Sequence, residues 1–272
     1  MKKILFILSV LLCSCSSIKT FYQVYNVESD GLIEKNGYLF YSNDDCDVSY
    51  NFWERGGNAG FMIHNKTEHD LFIDLSKTFF VKNGVAYDYF KNREYIHFGA
   101  NSISSFYPPV RGENNDISIS SARGITVSYK EKPVICVPAN ASKSIAEYNI
   151  MSELIKECNY ENDYPQTKSV PFNYTIDNTP IMFSNRIAYS YDPECKSLKY
   201  IENAFWVSEI VNYSADEAKE KKYIQSCEDP GKTQIDVFKI NSPSKFYNQY
   251  EEKSSSKFRP RGSERSSDDL YY

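Results

Sequence analysis

Apolar and polar residues alternate along much of this chain with a period of two. Residues 46–52 alternate without an error, and similar runs occupy residues 21–27, 170–176 and 204–213. Strict alternation predicts strands with one buried face. About ten short runs of this kind, separated by turn residues, predict an antiparallel β-sandwich over residues 21–241.

One turn has a strong local signal. Asn83-Gly84 separates the strand-like runs 78–82 and 85–89. Both residues tolerate the positive φ angles that a two-residue type I′ turn requires, so the pair predicts a tight β-hairpin. Arg123-Gly124 is predicted to be a further turn between two short strands.

Three segments depart from the strand pattern. Residues 92–116 have few apolar runs, and we expect a long, lid-like loop there. Ser214-Ala215-Asp216-Glu217 is a capping box, which predicts a short helix over residues 215–222. Residues 142–157 fit either a helix or a strand, and the sandwich could divide into two subdomains near residues 140–165.

The two ends of the chain differ in composition from the part between them. Residues 242–272 include Ser254-Ser255-Ser256 and a stretch rich in arginine and proline. Such a segment buries too little apolar surface to offset the entropy of ordering, so we expect a disordered C-terminal tail.

At the other end of the chain, Lys2 and Lys3 precede an apolar run over residues 4–12. This layout is typical of a secretory signal, and the apolar run is too short to span a bilayer.

The end of the apolar run, Leu12-Cys13-Ser14-Cys15, resembles a bacterial lipobox. The resemblance implies that residues 1–14 are a signal peptide, that Cys15 receives the lipid, and that residues 15–20 form a short tether. Cys13 fits the lipidated position poorly, because Leu12 would then stand where a small residue is required. An ordinary secretory signal is the alternative. Two or more acyl chains would hold the chain firmly on a membrane.

A lipid on Cys15 implies a place in the bacterial cell envelope. Residues 16–20 contain no acidic residue. In Bacteroidota lipoproteins an acidic run after the cysteine directs the protein to the cell surface. Its absence favours the outer membrane with the domain facing the periplasm, and the cell surface is the alternative.

Part of the strand pattern also resembles a known type of module. Residues 61–67, followed by 71–75 and 79–84, are similar to immunoglobulin-like domains in uncharacterised Bacteroidota lipoproteins. The resemblance runs over residues 52–89, with a looser echo at 134–148. It implies a mainly β, antiparallel immunoglobulin-like β-sandwich with one or two short helices. It implies no activity, because such a fold does not decide function.

Charge and composition narrow the class of partner. Removal of residues 1–14 takes away Lys2 and Lys3 and leaves 29 basic against 36 acidic residues, a formal charge of −7. This balance argues against binding to nucleic acid and against electrostatic adhesion to anionic lipid. The 23 tyrosines are typical of half-buried strands, and also of surfaces that bind proteins or sugars.

Five cysteines follow Cys15, namely Cys46, Cys136, Cys158, Cys195 and Cys227. An exported chain meets an oxidising compartment, so disulfides can form. The odd number leaves at least one thiol unpaired within the chain. The wide spacing, without a Cys-x-x-Cys pair, disfavours zinc. The sequence does not decide which cysteines pair.

The candidate metal ligands are His64 and His69, which flank a turn with Glu68 and Asp70 beside them. A zinc site needs three or four converging ligands. Polar residues beside a turn are the commoner explanation, so we expect no metal.

Two further motifs are incomplete. Asp44, Asp45 and Asp47 lack the glycine and the glutamate of a calcium loop. Gly231-Lys232-Thr233 ends like a phosphate-binding loop, but Ser226 stands where that loop needs a glycine. We therefore expect no nucleotide, no cofactor and no set of catalytic residues.

These observations favour a lipid-anchored cell-envelope lipoprotein with a non-enzymatic binding or structural domain, and with an envelope protein or glycan as partner. Two alternatives stay open. One is an envelope glycan hydrolase whose carboxylates are brought together by folding, to about 5–9.5 Å apart in a cleft. The other is a metal or small-ligand binder at His64 and His69.

Overall fold

The computed structural model describes residues 18–105, 119–156, 159–166, 168–225 and 232–253. Some predictions lie outside the described residues: those for the signal peptide, Cys15, residues 254–272, Cys158, Cys227 and Gly231. Within the described residues the chain is mainly β, with two helices of four residues each.

The elements follow one another as short strands with few interruptions. In chain order they are β1 (Ile18–Ser29), β2 (Ile33–Lys35), β3 (Tyr38–Ser42), β4 (Cys46–Tyr50), β5 (Phe61–Asn65), β6 (Leu71–Asp74), β7 (Phe79–Lys82), β8 (Val85–Asp88), β9 (Glu94–Ser105), β10 (Ile119–Lys130), β11 (Val134–Val137), β12 (Ser142–Ile145), α1 (Tyr160–Asp163), β13 (Pro171–Asn173), β14 (Met182–Ser190), β15 (Lys199–Ser214), α2 (Ala215–Ala218), β16 (Lys219–Gln225), β17 (Lys232–Phe238) and β18 (Lys245–Lys253).

Two sheets form the body of the molecule. The first has the order β11-β6-β14-β15-β1-β18, with β13 beside β15, β7 beside β14 and β8 beside β7; the second has the order β12-β5-β4-β3-β2. The strands pair antiparallel, and side chains of both sheets share one core. The predicted antiparallel β-sandwich is therefore confirmed. The first sheet contains strands that precede residues 140–165 in the sequence and strands that follow them, so the sandwich does not divide there.

An aromatic cluster joins the two sheets. Tyr50 and Phe52, in and just after β4, lie against Phe205 of β15 with ring centroids 5.0 Å apart in each pair. Phe52 also meets Phe183 of β14 at 5.4 Å. All four rings are fully buried, and edge-to-face contacts at this spacing add to the stabilisation from hydrophobic burial. The alternating run 46–52 therefore supplies one wall of the core.

Strand β1 is buried on both faces. On one face Tyr25 stacks on Phe246 of β18, with centroids 4.4 Å apart. On the other face Tyr22 and Val24 lie beneath the β16–β17 hairpin, where Phe238 meets Tyr22 at 5.0 Å. The strand predicted for residues 21–27 is therefore confirmed, and it is covered on both sides.

The domain extends further towards the C-terminus than the sequence predicts. Residues 245–253 form β18, which pairs with β1 along its whole length. Phe246 is fully buried and Asn248 is 4% exposed. The prediction of a disordered tail from Ser242 is therefore wrong for residues 242–253. Charged residues on both sides mask the short apolar face of this strand, which is buried only because β1 lies beside it.

A long strand, β9, occupies residues 94–105 of the lid-like loop predicted for residues 92–116, and residues 106–116 lie outside the described residues. β9 and β10 each contain twelve residues and pair with no other strand in the described part of the chain. Twelve residues of antiparallel strand span about 40 Å. Arg123-Gly124 lies inside β10, so the predicted turn there is wrong. Both strands form because their residues pair with each other across the hairpin, and the local composition of either segment does not reveal this pairing.

Two local signals are confirmed by the backbone. Asn83 and Gly84 have φ angles of 48° and 80° and join β7 to β8 in a tight hairpin. Ser214 caps α2, because its Oγ accepts from the backbone N–H of Glu217 at 3.4 Å. The helix ends at Ala218, earlier than predicted, because the chain continues directly into β16.

Candidate functional site

Two carboxylates meet on one arginine at the root of the β9–β10 hairpin. Arg93 donates from both terminal guanidinium nitrogens to Glu147, at 2.8 Å each, and from Nη2 to Glu131 at 2.7 Å. Lys91 forms an ion pair with Glu147 at 2.7 Å. Glu131 also accepts from the backbone N–H groups of Lys91 and Arg93. The cluster therefore ties together the two ends of the hairpin.

Neither carboxylate of this pair has the raised pKa of a general acid. Burial raises the pKa of Glu131 and of Glu147, but hydrogen bonds from Arg93 and its neighbours outweigh burial and hold both pKa values below the ordinary value. The general acid of a glycan hydrolase has a raised pKa. The geometry assigns this cluster to holding the hairpin in place.

Asp45 connects the two sheets and does not belong to a calcium loop. Its carboxylate accepts from the hydroxyls of Tyr189 at 2.8 Å and Tyr191 at 2.7 Å, and from Lys199 at 2.6 Å. Burial raises the pKa of Asp45, but these hydrogen bonds outweigh burial and lower the pKa below its ordinary value. Asp47 takes part in a separate ion pair. Of the three aspartates considered as calcium ligands, Asp45 and Asp47 therefore already accept from donors of the protein.

The two histidines occupy separate positions around one turn. His64 lies in β5, and its Nδ1 is 3.0 Å from Ser142 Oγ of β12. His69 follows the turn, and its carbonyl accepts from Asn65 Nδ2 at 2.7 Å and from Thr67 Oγ1 at 2.9 Å. Among the residues that the structure describes, no group of three or more His, Cys, Asp or Glu could hold a metal ion.

Three cysteines carry free thiols in the described part of the chain: Cys46, Cys136 and Cys195. Burial raises the pKa of all three, and that of Cys46 to about 12. A thiol with a raised pKa is a poor nucleophile at neutral pH. These cysteines therefore have the character of packing residues.

A groove lies at the end of the sandwich where β1 begins and β18 ends; we call it the tether-end groove. Its first depression, of about 390 Å³, is lined by the first residues of β1, by Pro165 and by the start of α2. Its second depression, of about 340 Å³, is lined by seven residues in and after α1: Tyr160, Glu161, Asn162, Tyr164, Gln166, Lys168 and Val170. Gln166 lines both. Each volume lies at the lower end of the range for small-ligand sites.

Tyrosines form the wall of the second depression. Tyr160 of α1 is 53% exposed, and its ring centroid lies 5.1 Å from that of Tyr164. Tyr164 packs edge-on against Phe21 of β1 at 5.5 Å and against Tyr250 of β18 at 5.8 Å. The inner rings therefore fix Tyr164, and Tyr160, whose hydroxyl donates to the Glu252 carboxylate of β18, lies at the outer edge of the wall.

Buried amides hold this wall, and residues 151–155 that precede it, on the first sheet. Gln23 of β1 donates to the carbonyl of Ile155 at 2.7 Å and accepts from the N–H of the same residue at 2.8 Å. Asn212 of β15 donates to the carbonyl of Asn162 at 2.9 Å. Asn248 of β18 donates to two further carbonyls of the same segment. These side chains supply the hydrogen bonds that a neighbouring strand would otherwise provide.

Polar groups of both signs reach the tether-end groove. Lys19 Nζ donates to Gln166 Oε1 at 2.6 Å, and Gln166 Nε2 donates to the carbonyl of Tyr164 at 3.0 Å. Gln166 thus forms the partition between the two depressions. Glu161 and Lys168 are exposed at its edge. An aromatic ring, amides, a carboxylate and an ammonium group therefore line the second depression.

No helix and no site is predicted from the sequence for residues 159–166, where most of this wall lies. A local signal was present, because Asn159 accepts from the N–H groups of Glu161 and Asn162 and so caps α1. The tyrosines at 160 and 164 are four residues apart and meet on one side of that turn. The depression itself depends on packing against β1 and α2, which no local pattern shows.

Comparison of the chain with protein-family models, with curated proteins and with solved structures found no match. No helix among the described residues is long and apolar enough to cross a membrane. The lipobox and the immunoglobulin-like character therefore stay predictions that rest on the sequence.

Proposed function

We propose that this chain is a lipid-anchored cell-envelope lipoprotein whose sandwich binds a ligand in the tether-end groove and catalyses no reaction. The anchor rests on Leu12-Cys13-Ser14-Cys15 and on the apolar run before it. The polar clusters of the described part that resemble a catalytic or a calcium site, at Arg93 and at Asp45, are closed by ion pairs and hydrogen bonds. Binding is the function that this arrangement supports best.

The observation that carries the proposal is the position of the groove. Its first depression includes Ile18 and Lys19, and Ile18 follows Cys15 after only two intervening residues. Three residues span at most about 11 Å. A lipid on Cys15 would thus place the groove close to the membrane surface, where ligands of the envelope are concentrated.

A crosslinking experiment in intact cells tests whether a ligand binds in the tether-end groove. A photo-reactive amino acid replaces Tyr160 in one variant and Tyr200, which is 49% exposed on β15, in the control. We expect a discrete adduct from position 160 and none from position 200. Equal labelling from both positions, or none from 160, would contradict a binding site in the groove.

The anchor is tested in the same cells with a radiolabelled fatty acid. We expect the label in the unmodified chain and its loss in Cys15→Ala, because only Cys15 has a small residue, Ser14, before it. Loss of the adduct in Cys15→Ala, with the chain still folded, would show that binding requires attachment to the membrane. Label that persists in Cys15→Ala would contradict lipidation at this residue.

A further inference from the structure

We infer that Asn36 is a site of spontaneous covalent modification, where the side-chain amide becomes a carboxylate through a cyclic imide, and that the fold protects Asn83 from the same reaction. The inference goes beyond the proposed binding function and is independent of it. Asn36-Gly37 forms the turn between β2 and β3. Glycine after asparagine offers this reaction little steric hindrance, because it has no Cβ beside its backbone nitrogen.

The reaction needs only water and no enzyme. The backbone nitrogen of Gly37 attacks the side-chain carbonyl carbon of Asn36, a C–N bond closes the imide ring, and the amide nitrogen leaves as ammonia with the proton of the attacking nitrogen. Water then opens the ring at either carbonyl. One opening leaves aspartate with a normal backbone, and the other leaves isoaspartate, whose main chain includes the former side-chain methylene. Both products carry a negative charge at neutral pH that asparagine lacks.

A second copy of the motif in the same chain serves as an internal comparison. Lys35-Asn36-Gly37 and Lys82-Asn83-Gly84 are the same tripeptide, and each contains the two-residue turn of an antiparallel hairpin. The asparagines have φ angles of 53° and 48°, and the glycines have φ angles of 76° and 80°. Sequence and turn geometry are matched, so a difference in reaction rate must come from the surroundings of each turn.

The side chain of Asn83 is held in place by β14 and the residues before it. Its Oδ1 accepts from the backbone N–H of Met182 at 2.8 Å, and its Nδ2 donates to the carbonyl of Pro180 at 3.1 Å. Its backbone N–H donates to the carbonyl of Met182 at 2.8 Å. The amide must leave both of its partners before its carbon can approach the nitrogen of Gly84, so these contacts oppose ring closure.

The side chain of Asn36 lacks such restraints. It is exposed, and no group in the described part of the chain forms a hydrogen bond with its amide. β2 has three residues, all exposed, and pairs only with β3 among the described strands. A short, exposed edge strand opens at low cost in free energy. The turn at Asn36 can therefore reach the geometry that ring closure requires.

Isoaspartate at position 36 would change the hairpin as well as its charge. The additional main-chain carbon lengthens a turn whose two residues fit the pairing of Lys35 with Tyr38. We expect the pairing of β2 with β3 to weaken, which would leave β3 as the edge of the second sheet.

Timed incubation of the detergent-solubilised full chain at mildly alkaline pH tests the inference. A protease that cleaves after glutamate then releases the two turns in separate peptides, 35–54 and 69–94, and mass spectrometry measures the converted fraction of each asparagine. Chain digested without incubation corrects for conversion during the digest. We expect Asn36 to react at least about tenfold faster than Asn83, because only Asn83 must first lose two side-chain hydrogen bonds. Enzymatic methylation should detect isoaspartate beside aspartate at position 36.

Two controls separate the fold from the local chemistry. In guanidinium chloride the two tripeptides should react at nearly equal rates, because the contacts of Asn83 are lost. Gly37→Ala should nearly abolish conversion of Asn36 and leave that of Asn83 unchanged, because a methyl group then shields the attacking nitrogen. A Cβ at position 37 would meet no atom within 4 Å, so this variant alters the reaction without altering the packing.

Three results would overturn the inference. The first is an equal rate at the two positions in the folded chain, or faster conversion of Asn83. The second is aspartate without isoaspartate at position 36, because direct hydrolysis of the amide forms no ring. The third is a rate difference of the same size in guanidinium chloride, because the surroundings of the two turns would then not be its cause.

Discussion

Single side chains take the place of backbone partners on the first sheet. Gln23, Asn212 and Asn248 are each less than 5% exposed, and their amides contact the main chain of the segment between β12 and β13. A buried amide that loses its partner costs about 1–3 kcal/mol. Asn212 therefore fixes the position of the groove wall, and Gln23 and Asn248 fix that of residues 151–155, without a continuous ladder.

The opposite case at this scale is Gly84, where only backbone geometry matters. Its φ is 80°, and a Cβ placed there would meet no atom within 4 Å. We predict that Gly84→Val lowers the free energy of unfolding by on the order of 1–3 kcal/mol, through backbone strain alone. Gly84→Asn should cost much less, because asparagine adopts this region more readily. Chemical denaturation of both variants measures the difference, and equal losses would show that strain at this turn is not the cause.

Among the elements, β18 takes part in three features of the architecture: the first sheet, the core and the groove wall. It forms the edge of the first sheet beside β1, it contributes Phe246 to the core, and it carries Tyr250, which supports the groove wall. The β9–β10 hairpin differs in kind, because it pairs only with itself among the described strands and is held at its root by Arg93. One element completes the core, whereas the other extends from it.

Truncation distinguishes the two possible boundaries of the domain. We predict that a chain ending at Asn241 loses its cooperative thermal transition, because β1 then has no neighbour on one side and the site of Phe246 is empty. A chain ending at Lys253 keeps β18 and should unfold at nearly the temperature of the full chain. Circular dichroism melts of the two truncated chains decide the matter. A stable chain ending at Asn241 would show that β18 is dispensable.

At the scale of the whole molecule, polar contacts at the rim join sheets that share an aromatic core. Asp45 in the second sheet's β3–β4 turn receives hydrogen bonds from Tyr189 of the first sheet and from Tyr191 just beyond it. The Asp45 side chain is 14% exposed, whereas Lys199 is 52% exposed. The tyrosine hydrogen bonds should therefore contribute more than the ion pair, which water screens.

The lowered pKa of Asp45 gives this contact a pH dependence. A carboxylate with a lower pKa in the folded state stabilises the fold above its ordinary pKa, about 3.9. That stabilisation is lost as the pH falls through the folded-state value. We predict that Asp45→Asn lowers the free energy of unfolding at pH 7 by on the order of 1–3 kcal/mol and flattens its decline in acid. Urea denaturation at several pH values measures both effects, with exposed Asp44→Asn as the matched control. The same pH profile for Asp45→Asn and the unmodified chain would contradict this role.

Sequence patterns predict those features of this molecule that neighbouring residues determine. The alternation of 46–52, the Asn83-Gly84 turn and the cap at Ser214 each depend on a few consecutive residues. β18 depends on β1, more than two hundred residues away in sequence. The tether-end groove likewise combines the start of β1, the residues around α1 and the start of α2. The residues that form the β1–β18 pair and the tether-end groove are far apart in the sequence, so local patterns predict neither feature.

The placement of β1 between β15 and β18 has a consequence for how the chain folds. β1, the first of the described strands, finds one neighbour only at residues 205–214 and the other only at residues 245–253. Contacts between such distant residues form slowly, because a long loop must close before any of them stabilises the chain. Until β18 arrives, β1 has an open edge that another chain could join. β1 therefore gains its second neighbour only when the last of the described strands, β18, has been made.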